Sequence, residues 1–170
     1  MRISRKGTDV LGFHPSSGGF GWAVLEDSRS LLDWGTVDIR KDKNAIALHR
    51  IEVLLERYRP GVLAMERHEA EGRRRPRIRR LYTAVIDHAQ KRDIAVYRFS
   101  RIQISQCRHL HGARTREEVA TAVAGRLAVL RPRLPRARPI WVGERAGMAL
   151  FCAAACVLTY FDAEMEEEIA

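Results

Sequence analysis

Three features of the 170-residue chain have residue types that could do chemistry. The first is His14. A short apolar run (Val10, Leu11, Phe13) ends at His14-Pro15. After Ser16-Ser17-Gly18-Gly19 a second run returns through Phe20 to Val24. This predicts a β-hairpin with a wide, glycine-rich turn, and His14 closes its first strand, where a sheet presents a side chain to a ligand. The second feature is Glu66. Val62-Leu63-Ala64-Met65 is wholly apolar and bounded by Pro60-Gly61 and by charge. It reads as a central strand buried on both faces, with Glu66 at its C-terminal end. The third is the segment Arg67–Arg80, with Arg67, Arg73, Arg74, Arg75, Arg77, Arg79 and Arg80. Arginines grip phosphate in bidentate fashion, and clustered like charges repel one another without an anionic partner. Each feature has a plainer alternative: His14 capping the turn, Glu66 pairing with the arginines after it, the arginines forming a solvated helix face.

Two other constellations are less complete. Cys107-x-His109-x-His111 offers soft-metal donors, but a structural zinc site takes four ligands, and no CxxC or HxxxH completes the set. Gly18-Gly19-Phe20-Gly21 lacks the Gly-Lys-Ser/Thr of a phosphate loop.

The elements that must position these residues follow in order. Strands are expected at Asp9–Phe13, about Phe20–Glu26 and Leu31–Ile39, with Gly35 at a bulge. Ala47, Leu48, Ile51, Leu54, Leu55 and Tyr58 give helical spacing over Asn44–Arg59, with Asn44 as N-cap. After the strand ending at Glu66, Pro76 opens a helix reaching about Arg92. Ile94–Phe99 is the last strand, and Ser100–Gln106 a helical turn. Cys107–Ala113 is a loop. Thr115 and Glu118 form a capping-box signature for a helix lined by Val119, Val123, Leu127 and Leu130. Arg131–Pro139 is a Pro- and Arg-rich linker that could be a second phosphate contact. The final helix is Glu144–Phe161. Three antiparallel strands before alternating α and β elements exclude a β-α-β dinucleotide fold. They predict an α/β mixed five-stranded sheet with helices on both faces, as a single domain over residues 1–163 before an acidic tail, 164–170.

Bulk properties narrow the partners. Net charge is +9, and the last nine residues hold five acids and no base, so removing those acids raises the remainder from +9 to +14. Such an excess favours a polyanion: nucleic acid first, an acidic membrane surface second. The apolar run Met148–Tyr160 is shorter than the ~20 residues a membrane span needs and reads as a buried helix. Its Cys152 and Cys156 are core residues. The N-terminus has no apolar stretch after its charges, so a cytoplasmic protein with reduced thiols is expected.

Leu11-Gly12-Phe13-His14-Pro15-Ser16-Ser17 resembles the opening hairpin of the RuvC family of Holliday-junction resolvases, a branch of the RNase H superfamily. The resemblance extends in order through most of the chain. Leu32–Arg40 is similar to the family's third strand, Val62–Glu66 to its fourth, and Val96–Phe99 with Arg101–Gln106 to its fifth and the segment after it. His111-Gly112-Ala113-Arg114-Thr115-Arg116-Glu117-Glu118-Val119 resembles its G-x-(R/A)-x-K-E-x-V helix opening. Glu144–Leu150 loosely matches D-x-x-D-A-L.

The resemblance implies an RNase H-like fold and a catalytic, metal-binding set of His14, Glu66 and Glu144. Nucleases of this fold place carboxylates around two Mg²⁺ or Mn²⁺ ions about 3.5–4 Å apart. Glu66 matches the family's strand-four Glu and Glu144 its first last-helix acid. His14 stands where the family has its first-strand Asp, and Gly147 where it has a second last-helix acid. Neutral imidazole can neither bridge two ions nor offset their charge, and Glu144 at a helix start has a plainer role with the dipole. The resemblance also implies DNA as partner, four-way junctions above all, a homodimer, no membrane, and a place in DNA recombination and repair. The expectation is a branched-DNA binder with nuclease activity weakened or lost, needing Mg²⁺ or Mn²⁺ only if it cuts. The alternatives are an active junction endonuclease with a His-containing site and an RNA- or protein-binding scaffold.

Overall fold

The computed structural model describes residues 9–67, 76–136 and 146–169. Five strands, β1 (Val10–Ser16), β2 (Gly19–Leu25), β3 (Leu31–Asp38), β4 (Val62–Glu66) and β5 (Ala95–Phe99), form one sheet in the order β3-β2-β1-β4-β5. The pairs β1–β2 and β2–β3 are antiparallel, and β1–β4 and β4–β5 are parallel. The mixed sheet with three antiparallel strands first is the predicted architecture. Helices α1 (Lys43–Tyr58) and α2 (Pro76–Gln90) cover one face; α3 (Arg101–Gln106), α4 (Arg116–Arg126) and α5 (Ala146–Ile169) lie on the other.

Side-chain alternation assigns each strand residue to a face. On β1, Leu11 and Phe13 join the α1/α2 core, and Val10 joins the α4/α5 core. On β4, Leu63 and Met65 pack with α1/α2, and Val62 and Ala64 with α4/α5. Both strands are buried throughout, as central strands covered on two sides must be. Helix α5 is apolar around most of its circumference, the pattern of a helix enclosed by its own protein. It has the length and composition of a membrane span, but 78% of its apolar window is buried in the fold. It lies so close that a Cβ at Gly12 would sit 2.3 Å from the Ala153 carbonyl oxygen, and one at Gly21 2.2 Å from Ala149 and Leu150 backbone atoms.

Several local expectations change. The hairpin turn is tight: Ser16 pairs with Gly19, leaving only Ser17-Gly18 between the strands. β1 outlasts its β4 partner, whose register ends at Phe13↔Met65, so Pro15 needs no ladder hydrogen bond on that side. The register shift in β2–β3 falls at Val24/Leu25 rather than at Gly35. Gly35 instead makes room for the Trp22 indole, whose Nε1 would be 2.9 Å from a Cβ there. The α1 N-cap is Asp42, because the Asn44 side chain is engaged elsewhere: it donates to the Arg77 carbonyl (3.0 Å) and accepts from the Arg77 guanidinium (3.2 Å). The Thr115–Glu118 capping box forms as predicted. The helix expected to reach Leu130 ends at Arg126, and the linker expected at Arg131–Pro139 starts inside a 3₁₀ helix, Ala128–Arg133, anchored by buried Leu130; residues 137–139 lie outside the described residues. The acidic end continues α5 as helix to Ile169.

The Cys107–His111 segment is a 3₁₀ turn, Arg108–Leu110, not a metal loop. Among the described residues no three His, Cys, Asp or Glu side chains gather as metal donors. Burial pushes the Cys107 thiol up. Burial, then the nearby Arg126 guanidinium, holds the His109 imidazole below its ordinary value. Its Nε2 is enclosed without a hydrogen-bond partner among the described residues. The unfolded chain therefore takes up this proton first, near pH 6.5, and His109 should make the fold less stable as pH falls below that value. Urea midpoints at neutral and mildly acidic pH, compared with those of His109→Gln, measure this. An equal acid-side loss in both proteins would remove His109 as the cause.

Candidate functional site

The site forms just past the last β1–β4 register pair, where β4 ends and β1 runs on. His14 follows Phe13, and Glu66 follows Met65, the last β1–β4 register pair. Two residues on from Gly12 and Ala64, both side chains face the α4/α5 side. His14 is 1% exposed and Glu66 7%. Imidazole Nδ1 lies 3.6 Å from Glu66 Oε2, too long for a hydrogen bond.

The other carboxylate oxygen faces a cation. β5 pairs Phe99 with Glu66, and the chain turns into α3 two residues later. A Ser100–Gln103 capping box fixes that start and places Arg101 Nε 3.6 Å from Glu66 Oε1. Arg101 is two-thirds exposed, so the pair adds little stability; its effect is to place positive charge at the carboxylate. Glu66 and Arg101 line a small solvent-open cleft, with Ser105, Arg114, Arg116 and Cys152 among its other walls.

Of the predicted site residues, the fold brings His14 and Glu66 together. Glu144 lies outside the described residues, as do Arg73, Arg74 and Arg75. Arg67 is exposed directly after Glu66, and Arg79 and Arg80 are exposed on the first turn of α2. Arg77 is a correction to the predicted phosphate-binding set. Besides Asn44, its guanidinium reaches the Ser17 carbonyl at 3.4 Å, where Lys43 also donates at 2.8 Å. This arginine locks the β1–β2 turn to α1 and α2 instead of pointing outward. Arg101, Arg114 and Arg116 were missed as cleft residues. The signal for the last two was their place before Glu117-Glu118 in the resembled helix opening. Arg101 gave no signal in sequence because its role depends on strand register.

The described donors do not fit a two-cation centre. A carboxylate and a neutral imidazole supply one negative charge against two divalent ions, and Mg²⁺ prefers octahedral oxygen. Both Glu66 oxygens already face groups that carry or can carry positive charge. What the arrangement can do is keep a buried carboxylate neutralised by the protein itself, next to a basic cleft.

No protein-family model matches the chain, and no curated protein matches it in sequence. Solved structures do match. Thermus thermophilus RuvC superposes with a TM-score of 0.68 at 24% identity, covering 93% of this chain and 96% of that one. T. thermophilus RuvC in complex with a Holliday junction substrate superposes with a TM-score of 0.69, at the same identity and coverage. The likeness establishes the fold: this chain is built on the RNase H-like sheet of RuvC.

Proposed function

We propose that this protein binds branched DNA, four-way junctions first, on a RuvC-like domain whose cleavage chemistry is weakened or lost. One observation carries the reading: in a fold shared with a junction-bound protein, the strand-end carboxylate Glu66 is flanked by His14 and Arg101. A bare carboxylate there would repel a phosphate backbone. The Arg101 guanidinium offsets its charge, so DNA can approach without cations in between. Arg67, Arg79 and Arg80 hold phosphates beside this point, and Arg73, Arg74 and Arg75 belong to the same basic run in sequence. A homodimer presents two such surfaces to the arms of a junction. The setting is DNA recombination and repair in the cytoplasm, with no membrane step.

The test is a labelled four-way junction with Mn²⁺, run on native and denaturing gels, with Glu66→Gln as the paired variant. We expect a retarded complex with intact strands, binding the junction in preference to linear duplex. Symmetric nicks in the wild type that vanish in Glu66→Gln would instead establish the active endonuclease, with His14, Glu66 and Glu144 as ligands of Mg²⁺ or Mn²⁺.

A further inference from the structure

The geometry points to a separate phosphate-binding surface on the ribbon Leu130–Arg136, where Arg131, Arg133 and Arg136 engage the backbone of a DNA arm as it leaves the cleft. This inference rests on the DNA reading above and adds a surface that reading does not use.

Several of the described arginines are tied to named partners. Arg77 holds Asn44, Arg92 reaches Glu56, Arg101 faces Glu66, Arg108 bonds Asp162, and Arg126 bonds Ser28. Each is tied into the fold. Arg131, Arg133 and Arg136 are exposed, and their side chains have no bond or ion pair with a described residue. No acidic residue occurs between Glu118 and Glu144, so the ribbon has no counterion of its own in sequence. Three guanidiniums on six residues, without an acidic partner among the described residues, repel one another, and an external polyanion relieves that repulsion.

The ribbon is also rigid and aimed. Leu130 is fully buried, Leu134 packs on the α4/α5 core, and the Leu134 N–H donates to the Arg131 carbonyl at 3.1 Å. Pro132 and Pro135 each fix a φ angle, so little backbone freedom is left to lose on binding. Pro135 comes within 3.9 Å of the position a Cβ would take on Gly147, in the first turn of α5. The same turn carries Ala149, which lies on Gly21, the register partner of His14. The ribbon therefore ends beside the β2 flank of the site, across β1 from Glu66 and Arg101. Its ligand is the sugar–phosphate backbone, read through charge and without base recognition.

The test is the salt dependence of junction binding, followed by fluorescence anisotropy. The variant Arg131→Gln/Arg133→Gln/Arg136→Gln is compared with the wild type, with the corresponding triple Lys variant, and with a control, Arg50→Gln/Arg57→Gln/Arg59→Gln. The control removes the same charge from α1 and the residue that ends it. The ribbon side chains are exposed, and a thermal melt matching the wild type verifies folding. The ribbon variant should lower the slope of log K against log salt by about 2.7, ~0.9 for each lost contact. The Lys variant and the control should keep the wild-type slope. An unchanged slope in the ribbon variant, or an equal drop in the control, would overturn the inference while the DNA reading stands. Absence of wild-type binding at low salt would overturn the DNA reading, and this inference with it.

Discussion

Gly21→Val should leave no cooperatively folded protein. The added Cβ would lie 2.2 Å from the Ala149 carbonyl carbon and the Leu150 amide nitrogen. Both are backbone atoms of α5, so no side chain can rotate away. Overpacking that side chains can absorb costs about 1–3 kcal/mol. Here only the helix itself can give way, and it covers one whole face of the sheet. Lifting it would expose Phe151, Val157 and Leu158, each 0% exposed in the fold. The expected loss is a large part of the ~5–15 kcal/mol that holds a domain together. Gly125 supplies the contrast. It lies in α4 with nothing within 4 Å of its hypothetical Cβ, so Gly125→Ala should gain about 0.5–1 kcal/mol from helix propensity. Urea denaturation followed by circular dichroism measures both. A cooperative Gly21→Val transition within ~1 kcal/mol of wild type, smaller than the overpacking range, would show that α5 does not sit this close.

Junction affinity should fall about a thousandfold between ~50 and ~200 mM salt. Arg67, Arg79 and Arg80 on one side of the strand ends, and Arg131, Arg133 and Arg136 on the other, make six candidate phosphate contacts. Each releases roughly 0.9 of a counterion from duplex DNA. A fall of less than about tenfold over this range would mean only one or two of these contacts form. Chelator should leave the affinity at each salt concentration unchanged, because Arg101, rather than a divalent ion, offsets Glu66.

The two Gly21→Val and Gly125→Ala outcomes concern parts of the fold that differ in how visible they are in sequence. The strands and their order were legible because uninterrupted apolar runs such as Val62–Met65 are bounded by turn residues. The α4 start was legible because Thr-x-x-Glu acts over four residues, within one turn of chain. Asn44 misled because its amide finds Arg77, 33 residues away, and no local pattern announces such a partner. The candidate site divides the same way. Glu66 stands at the end of a readable strand and His14 inside another, and their meeting follows from the β1–β4 register. Arg101 reaches Glu66 only through the β4–β5 register and the turn into α3, both products of tertiary pairing. Arg77 looked like one more member of a basic run until its fork was found closing the β1–β2 turn.

Helix α5 touches all five strands, and it is made after every strand it covers. Until residues 146–161 have left the exit tunnel, the face of β1 and β4 that it covers has no partner, and Val10, Val62 and Ala64 lie open to solvent. Contacts this distant in sequence slow folding, and uncovered strands of this kind associate readily. The nascent chain must therefore hold a half-built sheet in solution until α5 has been made, and holdase-type chaperones have a natural point of action in that interval.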